Sequence, residues 1–332
     1  MRWGLIGASR IAERVCASMR SIEGQELVGV YSRSAERGRD FAAAQGVAQS
    51  CTDLNALFTQ ARPEAVYISS TNELHAPQTL AALDAGCHVL CEKPLAINLD
   101  DAARMVRHAA LRQRVLATNH HLRGSLAHQR LHELVAEGAI GRVHGVQLSH
   151  AVSLPRQLHG WRLNQPDAGG GVVLDILVHD VDLLRFVLGT EPQTIHTVAQ
   201  HNGLTQAGLE DGAMSIVAFE GGVLAQLHES FVAAHTLTRL DLLGTEGTLN
   251  CMQSLTVSGT PVITLRDARG EHAIPVEQAD LHAQTVRAFV SACAGHGAPL
   301  ASGEDGLRSV AVALAGLASA ASGCGQAISY PA

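Results

Sequence analysis

The chain opens as alternating short apolar runs and longer apolar stripes. Trp3 to Ile6 is an apolar run of strand length. After the small-residue turn Gly7-Ala8-Ser9, apolar residues recur at Ile11, Val15, Met19 and Ile22, and Gly24 closes the stripe. That spacing is helical. The cycle repeats. Glu26 to Tyr31 reads as a strand, Asp53 to Gln60 as a short helix, and 65–70 as a buried parallel strand. A helix starts at His75 and ends near Gly86. His88 to Cys91 is another strand. Asn98 then caps a helix with Asp100 and Asp101 in its first turn, and Arg114 to Thr118 is the last strand of the series. Strands alternating with helices predict an α/β domain, a doubly wound parallel sheet of Rossmann type over residues 1–120.

Beyond residue 120 the pattern changes. Ser125 to Glu137 is amphipathic, Arg142 to Val152 alternates as a strand, and Leu158 to Leu163 reads as a polar loop. Gly169-Gly170-Gly171 opens a largely apolar helix from Val172 to Leu184. Strands follow at 193–200, 213–219, 223–230, 238–243, 248–251 and 260–266, with a hairpin around Gly221-Gly222. Helices at 280–294 and 306–321 close the chain. Residues 121–332 are therefore expected to form an α+β domain with a large, open, mainly antiparallel sheet. One face would cover helices, leaving the other for solvent or for a second subunit.

Composition narrows the function. A chain of 332 residues is long enough for two cores. The net charge of −7 offers no basic field, and 3% aromatic residues leave few stacking platforms, so no nucleic-acid partner is expected. No apolar run approaches the roughly 20 residues of a membrane span. The first residues read as strand and turn, with no signal peptide, and seven scattered cysteines suit reduced thiols in the cytoplasm. His120-His121 and Cys87/Cys91 lack the spacing of a metal site, and no metal is expected.

The candidate chemistry lies at strand ends. Strand, tight turn and helix at the start are the dinucleotide-binding opening. There G-x-G-x-x-G reads Gly7-x-Ser9-x-x-Ala12, making Gly7, Ala8, Ser9, Arg10 and Ile11 cofactor candidates. Gly7 keeps the turn and Ala12 allows close packing. Ser9 replaces the second glycine and offers a hydroxyl to phosphate. Where the second strand ends, an acid would select NAD. Here Ser32, Arg33 and Arg37 suit a 2′-phosphate, so NADPH/NADP is expected. Ser70, Thr71 and Asn72 leave the third long strand beside that cleft. His75 is either a cofactor contact or a capping residue. Lys93, in Glu92-Lys93-Pro94, stands at a strand's carboxyl end, where it can bond a substrate oxygen or move its proton. Asp175 and His179 are four apart on an apolar helix, a costly pair to bury without a partner or a proton-handling task. Trp161 next to Arg162 either stacks on a nicotinamide or sugar or simply packs.

Gly-Leu-Ile-Gly-Ala-Ser-Arg-Ile-Ala from residue 4, Ser-Thr-Asn-Glu-Leu-His at 70–75 and Cys-Glu-Lys-Pro-Leu at 91–95 resemble the Gfo/Idh/MocA family of NAD(P)-dependent sugar oxidoreductases, and the resemblance runs to the C-terminus. It implies an active site of Lys93, Asp175 and His179. It also implies cofactor contacts from Glu92, Lys93, Asn119, Trp161, Arg162 and His282. The expected activity is hydride transfer between NADPH and the carbonyl carbon of a cyclic, sugar-like small molecule. Lys93 and His179 would share oxyanion stabilisation and proton donation, in an order the sequence leaves open. Another sugar, inositol or dihydrodiol dehydrogenation is the alternative. So is a non-catalytic NADP sensor, against which the joint presence of Lys93, Asp175 and His179 argues.

Overall fold

The computed structural model describes residues 1–331, and the chain divides into two compact units. The first unit comprises Met1–His121 together with His282–Leu307. It runs β1 (Arg2–Ile6), α1 (Arg10–Arg20), β2 (Glu26–Tyr31), α2 (Ala35–Ala44), β3 (Ser50–Cys51), α3 (Leu54–Ala56), β4 (Ala65–Ile68), α4 (His75–Asp84), β5 (His88–Cys91), α5 (Leu99–Leu111) and β6 (Leu116–Thr118). The strands form one parallel sheet in the order β3-β2-β1-β4-β5-β6. Its central strands are continuous apolar runs because both faces are covered; every residue of β4 is buried. Four of these helices start where a side chain accepts an orphan N–H group. Ser9, Ser34, Asp53 and Asn98 cap α1, α2, α3 and α5. Trp3, fully buried, packs with its ring centroid 5.3 Å from that of Phe289, which returns from the far end of the chain. A single cut near residue 120 therefore does not describe the units: Val286 and Phe289 bury their side chains in the first core.

The second unit comprises Leu122–Leu281 and Arg308–Ala332. It contains α6 (Leu126–Ala136), β7 (Val143–Ala151), α7 (Trp161–Asn164), a π-helical turn Val173–Leu177 that continues as α8 (Val178–Leu188), and then β8 (Pro192–Gln200), β9 (Gly212–Phe219), β10 (Leu224–Ser230), β11 (Arg239–Gly244), β12 (Gly247–Met252), β13 (Val262–Asp267) and β14 (Gly270–Ile274). After α9 (Leu281–Cys293) and α10 (Gly303–Ser322), β15 (Gln326–Ala327) completes a nine-stranded sheet, ordered β14-β13-β12-β11-β7-β10-β9-β8-β15. All neighbours are antiparallel except β7 and β10, whose parallel pairing sets Glu229 beside His150. One sheet face packs on α8: Leu148, Val217, Ala225, Leu227 and Leu240 join Leu177, Val181 and Leu184 in the core. Val198, Met214, Ile216 and Leu224 are exposed.

Three local expectations change. The helix expected from Val172 begins as a π turn. The expected loop 158–163 contains the short helix α7. The edge strands β3, β14 and β15 were too short or too polar for the alternation to mark them.

Candidate active site

At the first βα turn, Gly7 has φ +111°, and a Cβ there would lie 3.0 Å from the backbone of Ser69 and Ser70. Only glycine fits. Ser9 ends the turn. Its hydroxyl accepts from the Ala12 N–H at 3.1 Å and donates to Ser69 Oγ at 2.8 Å. The hydroxyl expected to meet a phosphate is thus engaged as a helix cap, and the N–H groups of Arg10 and Ile11 remain at the helix opening. Ala8 and Ile11 are half-buried, and Arg10 is exposed. Arg37 Nη2 donates to the Ala8 carbonyl at 3.2 Å, so its guanidinium lies against the same turn. Ser32 is buried and accepts from the Ser34 N–H at 3.3 Å, while Arg33 is exposed. A glycine-walled turn, an open helix N-terminus and a basic strand end fit a dinucleotide phosphate chain.

Lys93 follows β5 in a turn braced on both sides. Before it, the buried Glu92 carboxylate accepts from Tyr67 Oη and from Asn119 Nδ2, the latter at 2.5 Å. Burial raises the Glu92 pKa, and those two donors oppose the rise. After it, the peptide to Pro94 is cis, and the Pro94 carbonyl meets His75 Nδ1 at 2.8 Å. Lys93 itself is partly exposed. Thr71 Oγ1 donates to Glu73 Oε1 at 2.6 Å, Ser70 Oγ donates to Gln78 Oε1 at 2.6 Å, and Asn72 is buried. The His282 ring, also buried, packs at 4.8 Å on His121. His75, Glu92 and Asn119, all expected at the cofactor, thus spend the polar groups described here on the protein itself.

In the second unit, Asp175 lies on the π turn and His179 on the first turn of α8; each is less than a tenth exposed. Arg162 Nε donates to both Asp175 carboxylate oxygens at 3.3 Å, and its guanidinium covers the Trp161 ring at 4.5 Å. The structure therefore joins Trp161, Arg162 and Asp175 into one partly exposed group. Gly171, at φ +97°, lets Glu210 approach; a Cβ would lie 2.3 Å from its carboxylate. Glu210 accepts from the Val173 N–H at 3.0 Å and so secures the start of the π turn.

Three buried acids, two on α8 and one on β10, lie outside the expected site, and of these Glu229 drew no reading from the sequence. Asp180 meets His150 Nδ1 at 2.7 Å. Asp182 accepts two bonds from Arg123, at 2.7 and 2.8 Å. Glu229 is completely buried beside Asp180, and neither of its carboxyl oxygens makes a hydrogen bond among the described residues. Burial and the Asp180 charge push its pKa well up. A signal existed: Ala225, Leu227 and Glu229 share the inward phase of one strand. Among the described residues, no group of three or more metal-ligating side chains could hold an ion.

A glycine turn opening the first helix of a parallel sheet, followed by a separate α+β unit, is the architecture of a nucleotide-dependent oxidoreductase. Residues 1–120 match the oxidoreductase family with an NAD-binding Rossmann fold, and residues 128–250 match the GFO/IDH/MocA C-terminal domain. The protein belongs to the Gfo/Idh/MocA family of NAD(P)-dependent oxidoreductases. It is 47% identical to 1,5-anhydro-D-fructose reductase of Ensifer adhaerens, with 97% of each chain covered. It is 34% identical to dTDP-3,4-didehydro-2,6-dideoxy-alpha-D-glucose 3-reductase of Streptomyces violaceoruber, over 90% of this chain and 87% of that one. The solved aldose-aldose oxidoreductase of Caulobacter crescentus superimposes with a TM-score of 0.89 at 22% identity, over 99% of both chains, and shares the fold.

Proposed function

We propose that the protein reduces the keto group of 1,5-anhydro-D-fructose with NADPH, giving 1,5-anhydro-D-mannitol. The observation that carries this reading is the 47% identity, spread over 97% of both chains, to a reductase of that name. The first unit would supply most of the nucleotide contacts and the second unit the sugar pocket. The Gly7 turn and the N–H groups opening α1 would bind the pyrophosphate, and Ser32, Arg33 and Arg37 the 2′-phosphate. Ser70, Thr71, Asn72, Trp161, Arg162 and His282 would complete the cofactor contacts. When bound, NADPH supplies the hydride. Negative charge then grows on the ketone oxygen. The Lys93 ammonium and His179 would stabilise that oxygen, and one of them would deliver its proton. Asp175, already held by Arg162, would orient a sugar hydroxyl or the imidazole. Positioned acid catalysis of this kind is worth roughly 10²–10⁴-fold.

The test is loss of NADPH absorbance with 1,5-anhydro-D-fructose at neutral pH, with NADH as control and the product identified. The reading expects turnover with NADPH well above that with NADH. NADPH binding without turnover would discard this substrate and lead to a panel of other sugars and inositols. Equal rates with NADH would remove the Ser32/Arg33/Arg37 argument.

Two smaller proposals accompany it. The exposed Val198, Met214, Ile216 and Leu224, on neighbouring strands β8, β9 and β10, support self-association through the open sheet face. Light scattering showing a monomer would overturn that. The seven free cysteines, four of them buried, support a cytoplasmic location, where thiols stay reduced. No helix among the described residues is long and apolar enough to cross a membrane.

A further inference from the structure

His75 is the first residue of α4 and has no exposed surface. Its two ring nitrogens face two backbone carbonyls at the ends of neighbouring strands. Nδ1 is 2.8 Å from the Pro94 oxygen, and Nε2 is 3.2 Å from the Ser70 oxygen. Both partners only accept. Burial lowers the pKa of this imidazole, and the two carbonyls oppose that. A neutral ring has one N–H to give, and the shorter contact takes it, toward Pro94. The bond falls on the residue directly after Lys93. The residue directly before Lys93 is Glu92, whose carboxylate is fixed by Tyr67 and Asn119. Lys93 is therefore bracketed. Both chain neighbours are buried and hydrogen-bonded, while its own side chain stays partly exposed.

We propose that His75 is a positioning residue for Lys93: by holding the Pro94 carbonyl it fixes the turn from which the ammonium projects, and it does not touch the cofactor. The proposal rests on the reading of Lys93 as a group that acts on the substrate oxygen. Its physical basis is that a displacement of about 1 Å at a reacting group costs on the order of 10²-fold in rate. A buried carbonyl left without its donor would supply such a displacement, because it must turn to find another partner. The sequence offered His75 as a cofactor contact or a cap. Complete burial, with both nitrogens on protein carbonyls, supports neither.

The two amide side chains separate the two bonds. Asn at this position carries an N–H near the place of Nδ1, and Gln carries one near the place of Nε2. The experiment measures kcat for NADPH-dependent reduction of 1,5-anhydro-D-fructose and the NADPH Kd by fluorescence. It uses His75→Asn, His75→Gln, Lys93→Ala and the double variant His75→Gln/Lys93→Ala. Thermal melting of each shows that it is folded. His75→Gln is expected to lower kcat by about 10-fold or more while NADPH Kd stays within about 2-fold. His75→Asn should recover most of the loss. The double variant should be no slower than Lys93→Ala alone, because His75 acts through that lysine. Three results would overturn the proposal. NADPH affinity falling in step with kcat would make His75 a cofactor contact. Equal losses in the Asn and Gln variants would reduce it to packing. Multiplying losses in the double variant would separate it from Lys93. Full turnover in Lys93→Ala is a distinct outcome: it would remove the reading of Lys93 itself and, with it, any residue that positions it.

Discussion

The turn that carries Lys93 and the helix that carries His179 both stand on buried acids, and they treat those acids differently. Behind Lys93, Glu92 accepts from Tyr67 and Asn119. Behind His179, Asp182 accepts two bonds from Arg123 and Asp180 faces His150, but Glu229 makes no hydrogen bond among the described residues. The first arrangement holds a charge in place with donors. In the second, burial and the Asp180 charge favour the protonated form of Glu229. The difference teaches that burial alone does not tell what an acid does. The partners decide whether removing it costs stability or relieves strain on the fold.

Breaking the buried Arg123–Asp182 pair should have the largest effect. Arg123→Ala leaves Asp182 buried with Arg185 3.6 Å away, and should cost about 3–5 kcal/mol in denaturant unfolding. A loss below 1 kcal/mol would show that Arg185 takes over. Tyr67→Phe removes one of two side-chain donors from Glu92 and should cost about 1.5–3 kcal/mol. It should also raise the Glu92 pKa further, since that donor opposes the rise. Unchanged stability would mean that the Glu92 network is slack.

The smallest effect has the opposite sign. Glu229 holds its proton more tightly folded than unfolded. Its contribution to stability is fully present below the ordinary carboxylate range. It is lost as pH rises from that range toward the raised pKa of the folded protein. Glu229→Gln keeps the shape and cannot ionise. Its melting temperature should gain on that of the native protein as pH climbs. Parallel pH profiles for the two proteins would show that Glu229 is not protonated in the fold.

Much of this was legible in the sequence. Strands β2 and β5 fall on the expected residues because their apolar runs are uninterrupted and end at polar turns. Asn98 caps α5 as expected. Asp175 and His179 stood out because a polar pair on an apolar helix is rare, and the structure supplies Arg162 as a partner for the acid. The rest depends on neighbours distant in sequence. Nothing local shows that β10 runs parallel to β7, so nothing local sets Glu229 beside His150. Ser9 sits at a phosphate-binding position of its motif, yet α1 needs a cap and Ser69 offers an acceptor, and these claim its hydroxyl. From the sequence His75 stood open between a cofactor contact and a cap, because its motif follows a strand end. Its ring turns inward, with Nδ1 on the Pro94 carbonyl and Nε2 facing that of Ser70.

The most direct test of the account compares kcat and NADPH affinity in Lys93→Ala and His179→Ala with the native protein, using 1,5-anhydro-D-fructose. If these residues act on the substrate oxygen, each variant should lose roughly 10²–10⁴-fold in kcat while binding NADPH nearly as well as the native protein. Turnover at the native rate in either variant, or NADPH binding lost to the same degree as turnover, would contradict it.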